Sequence, residues 1–303
     1  MKLEYEQCSV ETSNDDKLMY PDAGITKADV IEYYRDVAEL MMPHLKDRFL
    51  TLHRFPNGVA EDGFYQQSRS DHFPEYVRGK SAPTADGDRH VEHILIDGEP
   101  ALVYLADQAA LALHGWLSRS DRLRHPDRMV FDLDPADDGF EAVLDSARLL
   151  REVLEIAGLE PFVMTTGSRG LHVVAPLDRS LTFRKSRSTA RELAQYVADR
   201  EPERFTLEQR KKARRGRLYL DISRNAYGQT AIVPYSLRSV PEAAVATPLR
   251  WSDLDGKLSP RRFHLKNLRR RLGQLKDPWR RFRESVACPA IPREKLTAWS
   301  EQK

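Results

Sequence analysis

Residues 129–135 read MVFDLDP, with apolar side chains leading into Asp132, Leu133, Asp134 and Pro135. On a strand, residues two apart share a face. Asp132 and Asp134 should therefore project together, while Leu133 turns into the core. Ionised carboxylates avoid apolar surroundings unless a positive partner meets them. Two this close repel, so one keeps a proton or a cation sits between them. A second strand-like run, RLYLDIS (217–223), ends the same way at Asp221. Three carboxylates at neighbouring strand ends would form an oxygen-only site suited to Mg²⁺ or Mn²⁺. Such sites hold two ions roughly 3.5–4 Å apart and run in-line phosphoryl or nucleotidyl transfer. A bare DxD equally suits a strand end whose aspartate caps the next turn, so other segments must decide. Asp137 and Asp138, which follow, read as N-cap material for the next helix rather than as ligands.

Two further segments favour the metal reading. In TTGSRGLHVVAPL (165–177), Gly167, Ser168, Arg169 and Gly170 form a tight turn, and His172 stands just inside the next strand. Glycines let backbone N–H groups approach phosphate oxygens closely. The Ser168 hydroxyl and a His172 ring nitrogen add donors of the kind a triphosphate needs. In AIVPYSLR (231–238), Arg238 ends an apolar run. Its guanidinium, or that of Arg224 just past Asp221, could neutralise phosphate charge in a bidentate way. Each of these segments has an ordinary explanation as a hairpin turn, a core histidine or a surface arginine. Their force lies in the order strand, donor turn, strand between the two acidic strand ends.

The chain has 303 residues, with 31% charged and 41% hydrophobic, a globular composition. Apolar runs fall short of the roughly 20 residues of a membrane helix. The first residues lack a signal peptide's apolar stretch. Cys8 and Cys288 lie too far apart for a CxxC metal site or a disulfide framework. A reducing cytoplasm with no membrane partner is the expectation. Net charge is only +2, yet residues 204–283 hold 21 Lys and Arg against 6 Asp and Glu. Aromatic residues interleave with these cations in RRFHLKNLRRRLGQLKDPWRRFR (261–283), which suggests a nucleic-acid partner rather than merely solvated helix faces.

Periodicity predicts a helix over 25–45 ending near Pro43, and two strands around the Pro56-Asn57-Gly58 turn. It predicts a hairpin turning at Asp97-Gly98, a short helix over 107–119, and a strand over 128–134. A long helix closed by Gly158 should follow, then strands on either side of 167–170, a helix over 186–200, and strands at 217–223 and 230–237. The mixture is α+β or mixed α/β. The best internal seam lies around residues 105–125.

Taken together, FDLDP, GSRGLH, LDIS and VPYSLR, in this order, resemble the three-motif core of the archaeo-eukaryotic primase superfamily. Within it, the closest likeness is to the polymerase domain of bacterial ligase D, of non-homologous end joining, and its stand-alone relatives. DKLMYPDAGITKADVIEYY (16–34), the RFPNG turn, the GFYQ run and LHGWLSR (113–119) extend the likeness over roughly residues 15–285. The resemblance implies a primase-polymerase fold: an N-terminal α/β module (1–115) packed on an RRM-like catalytic sheet (116–303), with the metal cleft between them. It implies template-directed addition of NTPs, in preference to dNTPs, to 3′ ends, activated by two ions, Mn²⁺ or Mg²⁺.

The resemblance also assigns residues. Asp132, Asp134 and Asp221 would hold metal, and Ser168, His172 and Arg238 the triphosphate, with Arg224 near. His114 would contact the nucleotide sugar. Lys17 and Lys27 match positions that hold a downstream 5′-phosphate, and Phe64 with Tyr65 match aromatics that stack on the template, beside Arg54. Gln67 and Gln229 stand where relatives carry lysine, which should weaken binding without altering the chemistry. The implied partners are DNA ends and gaps, Ku, a DNA ligase and a second copy at synapsis, in a bacterial cytoplasm near the nucleoid. Companion ligase and nuclease modules are missing from these residues, as expected of a stand-alone polymerase or an excised domain. Gap filling in base-excision repair or priming in replication, non-catalytic bridging of DNA ends, and nuclease action are the competing readings.

Overall fold

The computed structural model describes residues 1–84, 87–135 and 139–302; Asp137 and Asp138, expected as caps, lie outside them. The chain divides into two compact units. The first comprises 1–116, 230–247 and 261–275; the second comprises 117–229, 248–260 and 276–303.

In the first unit, β1 (Lys2–Glu4) pairs with β2 (Ser9–Glu11), and β3 (Leu18–Tyr20) with β4 (Ile25–Thr26). Helix α1 (Lys27–Leu45) starts at Thr26, whose hydroxyl accepts from the Asp29 N–H while the Asp29 carboxylate accepts from the Thr26 N–H. This reciprocal cap satisfies two of the donors a helix start leaves open. The helix was expected to stop near Pro43 but runs on to Leu45 with Pro43 inside its last turn. A proline so near the end forfeits little of the helical ladder. Next come β5 (Leu50–Arg54), β6 (Phe64–Gln66), β7 (Arg78–Pro83) and β8 (His90–Leu95).

Two expectations fail here. Asp97-Gly98 does not turn a hairpin: Gly98 is the N-cap of helix α2 (Glu99–Asp107), with Pro100 in its first turn. The glycine signal is shared by tight turns and helix starts, and the proline behind it decides for the helix. The expected helix over 107–119 is instead strand β9 (Ala110–Trp116). Alanine and leucine favour helix, but propensity is a weak prior. Here β9 lies between β5 and a later strand, and Ala110 to Leu113 are all at most 1% exposed. A central strand covered on both faces has no alternation to display.

The second unit carries β10 (Arg128–Asp134), α3 (Glu141–Ile156), β11 (Phe162–Thr165), β12 (Leu171–Pro176), α4 (Phe183–Arg200), β13 (Phe205–Thr206), α5 (Lys211–Arg214) and β14 (Leu218–Asp221). Strand β15 (Thr230–Ile232) returns to the first unit and completes the order β15-β9-β5-β8-β7, with β6 on β5; β16 (Pro248–Leu249) joins the second sheet. Its order is β13-β14-β10-β12-β11-β16. The four central strands, numbered in chain order, lie 4-1-3-2 with helices after the first and third, the RRM-like βαββαβ pattern. Helices α3 and α4 lie against this sheet and each other. They bury Val143, Ala147, Leu150, Val153 and Leu154, and Ala190, Leu193, Ala194 and Val197. Helix α6 (Leu265–Gln274) belongs to the first unit and α7 (Arg293–Ser300) to the second. The mixed α+β class expected from the sequence is the one observed.

Candidate active site

Register builds the site. In the antiparallel ladders, Asp132 of β10 lies opposite His172 of β12 on one side and Asp221 of β14 on the other. Directly opposed residues share a face, so one row across three strands reads His172, Asp132, Asp221. The adjacent row is Leu171, Leu133, Leu220, fully buried. A slip of one residue would exchange the rows and drive the carboxylates into the core. Asp134 lies on the same face as Asp132, one pleat further along, opposite Tyr219. All three aspartates line a single cavity of about 320 Å³ together with Pro135, Arg169, Lys211, Arg214 and Tyr219.

The turn between β11 and β12 closes on this row. Gly167 has a φ of +66°, and the Thr166 hydroxyl donates to the Gly170 carbonyl at 3.1 Å and faces the Ser168 and Gly170 N–H groups at 3.3 Å. A Cβ at Gly170 would stand 1.9 Å from the Leu133 carbonyl oxygen and 2.7 Å from Asp134 Oδ1. The second glycine of GSRG is thus required for the close approach of turn and acidic strand end.

The two neighbouring carboxylates differ in electrostatics. Asp132 is 8% exposed; its Oδ1 lies 3.4 Å from His172 Nε2, and its Oδ2 accepts from Arg224 Nε at 3.2 Å. Burial pushes its carboxyl up, but His172 and Arg224 outweigh burial and hold it at about 2. Asp134 moves the other way: burial and the negative Asp132 raise it, and Arg169 Nη2 at 3.4 Å only partly offsets them. The positive partners demanded by the sequence are therefore Arg224 beside Asp132 and Arg169 beside Asp134. Asp221 Oδ1 accepts from the Ser223 N–H at 2.7 Å.

The donor set fits a hard divalent cation, being three carboxylates in one polar cavity. Among the described residues, no group of three already stands in ligating arrangement. Arg224 and Arg169 engage Asp132 and Asp134, so a cation would take over positions that guanidinium groups hold.

Other expected site residues lie in the first unit. His114 of β9 is opposite Thr51 and Ile232 and meets Tyr65 edge-on at 6.3 Å. Tyr65, 65% exposed, stacks on His53 at 4.1 Å; Phe64, 47% exposed, has the Arg54 guanidinium 5.3 Å above its ring. Arg54 is fixed by Gln66 Oε1 at 2.7 Å and the Gln108 carbonyl at 2.8 Å. The Arg238 carbonyl accepts from the Tyr20 hydroxyl at 3.0 Å. Burial and then the positive Arg238 push the His53 imidazole below its usual range. Lys17 and Lys27 meet where the Lys27 N–H donates to the Lys17 carbonyl, but their side chains differ. Lys17 Nζ reaches Asn57 Oδ1 at 3.1 Å, whereas Lys27 is 5% exposed and pairs with Asp107 Oδ1 at 2.7 Å.

Sequence reasoning gave no role to His53, Tyr219, Lys211 or Arg214. Lys211 and Arg214 lie inside the basic stretch already noted, and only the fold shows that they line the acidic cavity, Arg214 being held there by the Glu208 and Gln209 carbonyls at 3.1 and 2.7 Å. Arg204 pairs with Asp145, Arg261 with Glu242, and Arg269 with Glu32 and Asp36.

A sheet that aligns an acidic row beside a glycine turn, in the RRM-like order, suits metal-dependent nucleotidyl transfer, and the family match makes the class a primase-polymerase. The chain belongs to the LigD primase-polymerase domain family, whose model matches residues 26–279. The solved polymerase domain of Mycobacterium tuberculosis ligase D in complex with DNA is similar, with a TM-score of 0.85 and 31% identity over 91% of this chain and 99% of that one. The multifunctional non-homologous end joining protein LigD of Mycolicibacterium smegmatis is 33% identical over 84% of this chain and 34% of its own length. The bifunctional LigD of Bacillus subtilis is 32% identical over 82% and 40%. The chain thus spans between a third and two fifths of these two relatives. Among the described residues, no helix is long and apolar enough to cross a membrane.

Proposed function

We propose that this chain extends 3′ ends at DNA breaks and gaps during non-homologous end joining, copying a template and using NTPs in preference to dNTPs. The observation that carries this reading is the register that sets Asp132 against Asp221 with Asp134 in the same cavity. The end-joining context is supported by the relatives' names and the DNA partner by the complex solved for the M. tuberculosis domain. Ribonucleotide preference, the count of two ions and the choice of Mn²⁺ over Mg²⁺ rest on the family resemblance.

Asp132, Asp134 and Asp221 would hold the divalent ions, which supply Lewis acidity to the attacking hydroxyl and the triphosphate when bound. The protein's own groups do the remaining work. Asp132 stays ionised because His172 and Arg224 face it. Ser168 and His172 would donate hydrogen bonds to phosphate oxygens, with Arg224 and Arg238 neutralising charge as pyrophosphate leaves. His114 would position the sugar. Lys17, aided by Lys27, would meet the downstream 5′-phosphate, and Phe64 and Tyr65 would stack on template bases. Ku, a DNA ligase and a second copy at synapsis complete the proposed partners, in the bacterial cytoplasm near the nucleoid.

Primer extension on a gapped duplex tests this, with NTPs or dNTPs and with Mg²⁺ or Mn²⁺. Addition of at least one templated nucleotide, best with NTPs and Mn²⁺, is expected of the native chain. Asp134→Ala should abolish it while DNA binding is kept. Undiminished addition by that variant would refute the carboxylate assignment.

A further inference from the structure

Behind the end of β14 lies a second cavity, of about 530 Å³, that the proposed chemistry does not use. Its floor is Phe183, Ile222, Ala226 and Tyr227, and its rim is Arg184, Arg187 and Arg191 from α4. Ile222 directly follows Asp221, so the two cavities flank one strand end. The rings of Phe183 and Tyr227 meet edge-on at 5.7 Å, and Arg124 lies over Tyr227 at 5.6 Å. The lining contains no carboxylate. All four arginines are exposed, and among the described residues the side chains of Arg184, Arg187 and Arg191 make no ion pair or hydrogen bond. Most other arginines in this unit have carboxylate or carbonyl partners, as Arg148, Arg200, Arg204 and Arg217 do.

This arrangement costs helix stability. Helix α4 has no acidic residue in its first turn, where the macrodipole favours one, and places Arg184 and Lys185 there. Arg184, Arg187 and Arg191 recur at i, i+3 and i+7, so they form one stripe. At 1.5 Å per residue the stripe is about 10 Å long, comparable to the axial rise of about three nucleotides of one duplex strand.

We propose that this arginine-rimmed cavity holds the sugar–phosphate backbone of the duplex upstream of the 3′ end, as it leaves the catalytic cavity past Asp221. The inference rests on the polymerase reading and adds to it a site for the side of the DNA opposite the 5′-phosphate. Arginine forks bind phosphate, and the aromatic floor receives the sugar face.

The test uses the charge-reversed variant Arg184→Glu/Arg187→Glu. Acidic residues in these turns suit the helix dipole, so its melting temperature should equal or exceed that of the native chain. On a fluorescently labelled gapped duplex, the variant should bind about tenfold more weakly, with a shallower salt slope by about two. Its KM for DNA should rise with kcat and the KM for NTP unchanged. Shortening the upstream duplex from about 12 to 4 base pairs, a loss of some eight phosphates per strand, should weaken the native chain but not the variant. Equal affinity and equal salt slope for the two proteins would overturn the proposal. So would sensitivity to the downstream arm instead, or competition by oligoglutamate as strong as by an oligonucleotide of equal charge. If the native chain shows the upstream dependence yet adds no nucleotide, the polymerase reading fails and this site stands.

Discussion

At the scale of single residues, two lysines that look alike in sequence differ in environment. Lys27 forms a buried ion pair with Asp107 and also reaches the Asp107 carbonyl at 3.1 Å. Removing one partner of a buried pair leaves an uncompensated charge. Lys27→Ala should therefore cost about 3–5 kcal/mol in urea unfolding, whereas Lys17→Ala should stay within about 0.5 kcal/mol. Lys17→Ala alone should reduce the preference for 5′-phosphorylated over 5′-hydroxyl gaps; an unchanged preference would remove Lys17 from the phosphate site. Asp132 gives a pH prediction for the metal-free protein. Its folded carboxyl is held at about 2, below the unfolded value near 3.8. The stabilisation is complete above the unfolded value. It is lost as pH falls from about 4 to about 2, because the unfolded chain takes up the proton first; the loss is on the order of 2 kcal/mol. Asp132→Asn should flatten this acid limb, and an identical limb would contradict the His172 and Arg224 pairing. The three aspartates, the glycine turn and His172 were legible because each sits at a break in an apolar pattern. His53, Tyr219 and Arg214 were not, since their significance arises only from neighbours distant in sequence.

At the scale of elements, the second sheet was easier to read than the first. Strand β10, helix α3 and the β11–β12 hairpin each carry their own period and stop signals, and each falls where expected. Strand β9 does not, because burial on both faces erases alternation and leaves an alanine–leucine run that suits helix equally. Its placement makes a strong prediction. Ala112 pairs with His53 in the middle of that sheet, so Ala112→Pro would remove a ladder bond from a central strand. A loss above about 4 kcal/mol is expected; a variant of native stability would refute the strand assignment. At the turn, Gly170→Ala forces a Cβ against the Leu133 carbonyl. It should cost about 1–3 kcal/mol and reduce nucleotide addition further than stability alone explains, by shifting Asp134.

At the scale of the whole molecule, the basic stretch over 204–283 proves to serve two purposes. Some of its cations pair with carboxylates of the fold, while Lys211 and Arg214 line the acidic cavity. Net charge along the chain therefore pointed to a polyanion partner but could not say which cations face it. The central claim remains that Asp132, Asp134 and Asp221 converge on shared divalent cations. Titrating Mn²⁺ into the native chain and into Asp221→Ala, read by the electron paramagnetic resonance of free Mn²⁺, tests it most directly. The account predicts saturable binding by the native chain and a loss of at least tenfold in affinity, or of one bound ion, in the variant. Equal affinity and equal stoichiometry in the two proteins would contradict it.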